Sequence, residues 1–180
     1  MSEIVRAVKR IRKPKYIGDG ICEVELTKGF VAWIDEQDAG IVGVCNWCVS
    51  FNARDQRPYV KGRPIQGSQK LVRLHRYLMG FPSMQVDHIN FDTLDNRRAN
   101  LRVVNQSQSN ANRRPHKNKT VCFKGVSIRD SRYIATCNGL HVGTFQNAIE
   151  AAHAYDQAAI EQFGEYAATN ASLGLYEVAQ

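Results

Sequence analysis

The sequence predicts an α+β chain made of successive parts, and three observations carry that prediction. From residue 16 to 73 apolar residues alternate in short runs separated by turn-rich stretches. Between residues 84 and 104 two apolar runs flank a polar loop, and a polar, helix-compatible run follows. Beyond residue 120 two β-rich runs meet at Asn138-Gly139 and lead into apolar residues spaced three and four apart.

Taken in order, residues 1–15 form a basic arm carrying +5. Residues 16–73 form a β-rich N-terminal region, with strands expected over 21–26, 29–34, 42–51 and 70–74. Turn stretches such as Gln37-Asp38-Ala39-Gly40 and Gly62-Arg63-Pro64 separate them. Residues 74–79 read as a short helix stopped by Gly80 and Pro82. They open a unit that runs to residue 114. Residues 115–120 are a linker, part of a stretch with no apolar side chain. Residues 121–170 restart the pattern: strands over 133–137 and 140–145, then a helix opened by Asn147 and Glu150 and closed by Gly164. Residues 171–180 are a tail.

With 180 residues, 43% of them apolar and only 13 Gly and 5 Pro, the composition is that of a globular chain with a sizeable core. The longest uncharged stretch, 39–53, is too short to span a bilayer, and the N-terminus has no apolar core for a signal peptide. The expectation is a soluble cytoplasmic chain with no membrane partner. The five cysteines are odd in number and scattered, and Cys45-x-x-Cys48 reads better as part of a strand than as a metal pair.

The net charge of +7 is unevenly placed: +5 in the arm, +1 over 16–86, +4 over 87–120 and −3 beyond. Two basic blocks around a nearly neutral middle suit a polyanion such as nucleic acid, or equally a solubilising surface.

The chemistry concentrates between residues 84 and 114. Adjacent Asp87 and His88 at a strand end put one hard oxygen donor and one imidazole on opposite faces. Asn90, Asp92, Asp95, Asn96 and Asn100 can tie the following loop through local hydrogen bonds. Asp87-His88, Asn100 twelve residues after the histidine, and the NRRxNLR string from Asn96 resemble the HNH endonuclease motif, in particular its phage and intron-encoded homing branch. The resemblance spans about 74–114 and implies a ββα-metal unit that hydrolyses DNA. In it His88 is the general base, Asn100 braces the loop, and Asp87 holds a divalent ion, Mg²⁺ by preference. The motif's third position, on the following helix, falls on Ser109 where the family carries an amide or imidazole, with Asn110 adjacent. His75 and Arg76 resemble a His-Arg pair of the family. With Arg97, Arg98 and Arg113 they are the expected DNA contacts of this unit, a packed helix histidine being the equal alternative for His75.

The C-terminal part resembles the APETALA/ethylene-response-factor DNA-binding domain over about 121–170. Phe123-Lys124-Gly125-Val126, Gly143-Thr144-Phe145 and the alanine-rich helix from Ala148 carry the likeness. It implies a three-stranded sheet laid in the major groove and packed on one helix, with Lys124, Ser127, Arg129, Arg132, Tyr133 and His141 facing DNA. The leading expectation is therefore a site-specific DNA endonuclease of the homing type. The rival is a non-enzymatic DNA-binding regulator whose HNH unit has decayed at Ser109.

Overall fold

The computed structural model describes residues 11–53, 56–66, 68–115 and 120–178. Small sheets and helices alternate along them, an α+β architecture. The chain divides into two compact units, residues 1–103 and 104–180, each with its own buried apolar cluster.

In the first unit β1 (Lys15–Gly18), β2 (Ile21–Glu25) and β3 (Val31–Asp35) form an antiparallel meander in that order. Cys22 pairs with Ile34 and Val24 with Ala32, so the two-residue period buries all four on one face. A 3-10 turn, Glu36–Asp38, runs into the short helix α1 (Ala39–Val42). A second antiparallel sheet holds β4 (Cys48–Phe51), β5 (Pro58–Gly62) and β6 (Val72–Arg73), and α2 (Leu74–Leu78) follows without a break. β7 (Gln85–His88) pairs with β8 (Leu101–Val104) across the polar loop, which ends in a 3-10 turn over Arg98–Asn100.

The strand expected over 42–51 is confined to β4, because residues 39–42 coil into α1 and deliver Trp47 to the core. The Trp47 indole N–H donates to the Val42 carbonyl at 2.9 Å. Gly62 lies flat against the ring: a Cβ there would stand 2.6 Å from it. Gly62 thus belongs to β5 rather than to the expected turn. Of the basic arm, residues 1–10 lie outside the described residues, as do 116–119 of the expected linker. Arg12 is fixed in the fold, its guanidinium donating to the carbonyls of Leu26 (2.8 Å) and Trp47 (2.7 Å).

The second unit begins with α3 (Gln106–Ala111), opened by a reciprocal cap between Asn105 and Gln108. Strands β9 (Val126–Arg129), β10 (Arg132–Cys137) and β11 (Leu140–Phe145) form an antiparallel sheet with β10 central. Asn138 and Gly139 both take positive φ, as a two-residue hairpin turn requires. Helix α4 (Ala148–Phe163) is capped by Asn147, whose side-chain oxygen accepts from the Ile149 N–H at 2.7 Å. Its buried Ala151, Ala152, Tyr155 and Ala159 pack with Val126, Ala135 and Cys137 of the sheet. A 3-10 turn (Gly164–Tyr166) and α5 (Leu175–Val178) complete the unit. Among the described residues no helix is long and apolar enough to cross a membrane.

A buried polar knot ties the ends of this unit. Asp156 accepts from the backbone N–H groups of Asn170 (2.7 Å) and Ala171 (3.0 Å), the Asn170 side chain (2.8 Å) and the Tyr176 hydroxyl (2.9 Å). The carboxylate is thereby satisfied in place of water.

Gly125 has φ +73°, and a Cβ there would lie 1.9 Å from the Tyr155 ring. Gly125→Ala should therefore destabilise the second unit by about 2–3 kcal/mol or more, since backbone strain and overpacking act together. Gly139→Ala, with φ +81° but open space, should cost only about 1 kcal/mol. Hydrogen exchange of the α4 amides in the two variants measures both.

Candidate active site

β7 ends in Asp87 and His88, and strand alternation leaves Asp87 half-buried while burying His88. The loop beyond is built almost wholly from its own amides and carboxylates. The Asn100 side chain spans it, its oxygen accepting from the Asn90 N–H at 2.9 Å and its nitrogen donating to the Asp95 carbonyl at 2.8 Å. The Asn100 carbonyl accepts from the Ile89 N–H at 2.9 Å. Asn90 and Asp92 make a tight turn, the Asp92 N–H donating back to the Asn90 side chain at 2.8 Å, and Phe91 between them takes a left-handed backbone with φ +66°.

The loop is moored to the N-terminal meander. The Trp33 N–H donates to the Leu94 carbonyl (3.0 Å), and the Asn96 N–H donates to the Trp33 carbonyl (2.7 Å). The Arg98 N–H donates to Asp35 at 2.7 Å, and its guanidinium meets the buried Asp38 carboxylate at 2.9 Å. Arg97 binds Asp95 through Nε (2.8 Å) and Nη2 (2.7 Å). Burial alone would raise the Asp95 carboxyl, but these bonds and Asn90 hold it below the usual carboxylate range.

His88 is 4% exposed, with Nε2 at 3.4 Å from the Asn96 side-chain oxygen. The Asn96 NH₂ donates to the carbonyls of Leu94 (2.9 Å) and Thr93 (3.4 Å), which fixes the amide's orientation and turns its oxygen to the imidazole. An acceptor opposite Nε2 favours the tautomer that carries the neutral ring's proton on that nitrogen. Burial pushes the His88 imidazole down to about 4, against upward contributions from Asn96, Asp92 and Asp95. At neutral pH the ring is uncharged and able to accept a proton.

Asp87 offers one half-buried carboxylate, its Oδ1 accepting the His88 N–H at 3.0 Å and its Oδ2 standing 3.9 Å from the Arg102 guanidinium. Among the described residues no group of three His, Cys, Asp or Glu side chains is arranged to hold a metal ion. A lone carboxylate of this kind fits a hard cation that keeps most of its water, and does not fit a cation that demands a protein cage. Ser109 (half-buried) and Asn110 (exposed) lie on α3, in the second unit. The Asn110 side-chain oxygen accepts from Gln106 at 3.1 Å.

Several expected DNA contacts have other partners. His75 is buried at 3% exposure and packs against the His88 and Tyr59 rings. Arg76 donates to the carbonyls of Met84 (2.9 Å) and Pro82 (2.6 Å), pinning the loop between α2 and β7. Arg97 and Arg98 are engaged by Asp95 and Asp38 as described. Lys124 is buried at 9% exposure, its ammonium bonded to the carbonyls of Ala111 and Ala168. Tyr133 packs with the apolar cluster under the sheet, since its register partners Ile128 and Phe145 share the helix-facing side. Arg113 is exposed after α3, and Arg129, Arg132 and His141 are exposed on the sheet. Ser127, Ile134 and Thr144 are in register across the three strands, on the face turned from α4. Asn96 carries more of the site than its sequence context signals: it is one of several asparagines in a polar loop, and only the fold brings it to His88.

Residues 80–111, which include Asp87, His88, Asn100, Ser109 and Asn110, match the model of the HNH endonuclease family. Over 121 residues the chain is 32% identical to an uncharacterized HNH endonuclease of Acanthamoeba polyphaga mimivirus. That alignment covers 61% of this chain and 63% of the relative, so the chain spans just under two thirds of the relative's length. No solved structure matches the chain.

Two measurements follow. His75 and His88 are held by burial at about 3 and about 4, below the ordinary 6.5. The unfolded chain therefore binds protons that the folded unit refuses, and stability is lost as pH falls from about 6.5 toward 4. With up to two protons involved, the unfolding constant should rise by up to about 100-fold per pH unit, read from urea midpoints by Trp47 fluorescence. For Lys124, burial pushes the ammonium down to about 8. Lys124→Met should take the ammonium donor from the buried carbonyls of Ala111 and Ala168 and cost the second unit about 1–3 kcal/mol, with DNA affinity unchanged. A loss of affinity without a loss of stability would restore Lys124 as a DNA contact.

Proposed function

We propose that the chain is a metal-dependent HNH DNA endonuclease that cuts or nicks double-stranded DNA at a recognised site, in the manner of homing enzymes. The observation that carries this reading is the buried His88–Asn96 pair, set on a strand end beside Asp87 inside the segment that matches the family.

Hydrolysis of a phosphodiester needs a water deprotonated in line with the leaving oxygen. In this reading His88 Nδ1 takes that proton. Asn96, accepting from Nε2–H, keeps the ring in the right tautomer and stabilises the imidazolium once it forms. The arrival of an anionic phosphate raises the His88 pKa from its depressed value and makes it a stronger base. Asn100 keeps the loop's two ends together and so steadies the strand end that carries Asp87 and His88. Asp87 would hold the divalent ion, Mg²⁺ by preference, whose charge would offset that on the phosphate and the departing 3′ oxygen.

Target choice falls to the sheet of the second unit in this reading. Its outer face offers Ser127, Ile134 and Thr144 between the exposed Arg129 and Arg132 and the exposed His141, a mixed surface suited to base edges and phosphates. The helix acids Glu150 and Glu161 are on the opposite side of the sheet, which removes like charge from the DNA face.

In a plasmid-nicking assay with Mg²⁺, His88→Ala should lower the cleavage rate by about 10²–10⁴-fold. DNA affinity should stay within a few fold, because one buried imidazole adds little to a multi-phosphate interface. Parallel loss of binding and cleavage would remove His88 as the base. A wild-type chain that binds DNA and cuts none with Mg²⁺ or Mn²⁺ would be a DNA-binding protein with an inactive HNH unit.

A further inference from the structure

His75 is the other buried histidine of the first unit, and the proposed reaction leaves it without a task. Its ring meets that of His88 edge-on, with centroids 4.9 Å apart and planes at 81°. Behind it is Tyr59, at 6.1 Å between centroids, and the Arg73 guanidinium caps Tyr59 at 4.6 Å. Arg73, Tyr59, His75 and His88 thus form a continuous stack that ends on the candidate base. The α2 residues are fixed in turn by Arg76, which clamps the carbonyls of Pro82 and Met84.

The His88–Asn96 contact is 3.4 Å long, at the weak end for an N–H···O bond. By itself it constrains the ring plane loosely. The His75 Nδ1 is buried with no hydrogen-bond partner, so that atom does not anchor His75, and what the ring offers His88 is a rigid surface.

We propose that His75 is a positioning residue whose ring forms the wall that holds His88 against Asn96, presenting Nδ1 to the substrate side. The proposal rests on reading His88 as the general base. It takes the place of the phosphate contact expected for His75, and it makes shape rather than polarity the property that matters at position 75.

The test compares His75→Ala with His75→Phe, which keeps a planar ring and discards both nitrogens. In Mg²⁺-dependent nicking, His75→Ala should lower kcat by about 10- to 100-fold with KM unchanged, since a base displaced by a fraction of a bond length loses that much. His75→Phe should recover most of the lost kcat. The second readout needs neither DNA nor metal: the imidazole ¹⁵N–¹H spectrum of the free protein. There His88 should appear as the Nε2–H tautomer in wild type and in His75→Phe, and as an averaged mixture in His75→Ala. A rise in KM or in the DNA Kd with kcat intact would overturn the proposal in favour of a substrate contact. So would an unchanged His88 spectrum in a folded His75→Ala, or recovery by His75→Gln but not by His75→Phe. If wild type cuts no DNA, the nuclease reading fails by itself, and the spectrum still decides whether His75 holds His88.

Discussion

Asn96 is the joint on which the first unit turns. Its backbone N–H is held by the Trp33 carbonyl, its side-chain NH₂ by Leu94 and Thr93, and its oxygen faces His88. Its backbone N–H and both ends of its side-chain amide are therefore used, at zero exposure. A buried amide so fully engaged cannot rotate without leaving several partners unsatisfied. The orientation of an imidazole on one strand is thus tied to the backbone of another, some sixty residues earlier. The ion pairs of Arg97 with Asp95 and of Arg98 with Asp38 serve the same end, keeping a loop with little apolar content from fraying.

The second unit solves a similar problem by other means. Its sheet and α4 meet through small residues, Ala135 against Ala151, Ala152 and Ala159, which bring the layers close but bury little area per contact. The knot around Asp156 and Asn170 adds what alanine cannot, binding the segment after α4 back to the start of β9 through Lys124. Lys124 is drawn inward as part of that closure, and its long stem suits it to cross from the chain before β9 to two carbonyls elsewhere.

Local signals in the sequence are realised where the interactions are local. Asn138-Gly139 sets its hairpin, Asn147 caps α4 and Gly164 ends it, all within a few residues of the structures they determine. The Asp87-His88 pair and Asn100 stand out for the same reason, being twelve or thirteen positions apart on one hairpin. What escaped the sequence is decided at a distance. The run over 42–51 alternates like a strand, yet its Trp47 needs the flat face of Gly62 and the Val42 carbonyl, and the chain coils to reach both. Arg98 looks like a free cation until Asp35 and Asp38, about sixty residues upstream, are brought to it. Lys124 reads as a surface residue because nothing near it in sequence announces the carbonyls of Ala111 and Ala168.

The placement of α3 bears on how such a chain can be recombined. The helix with Ser109 and Asn110 packs with α4 and the 3-10 turn after it, and its last carbonyl, from Ala111, is bonded by both Lys124 and the Ala168 N–H. The passage from one unit to the other falls within β8, not in the polar stretch after residue 112. A graft that swapped the sheet-and-helix module at that polar stretch would strip α3 of its packing, while a graft at the true boundary would carry α3 along. Modularity here is asymmetric: the sheet-and-helix module carries α3 with it, so exchanging that module also replaces the residues at positions 109 and 110.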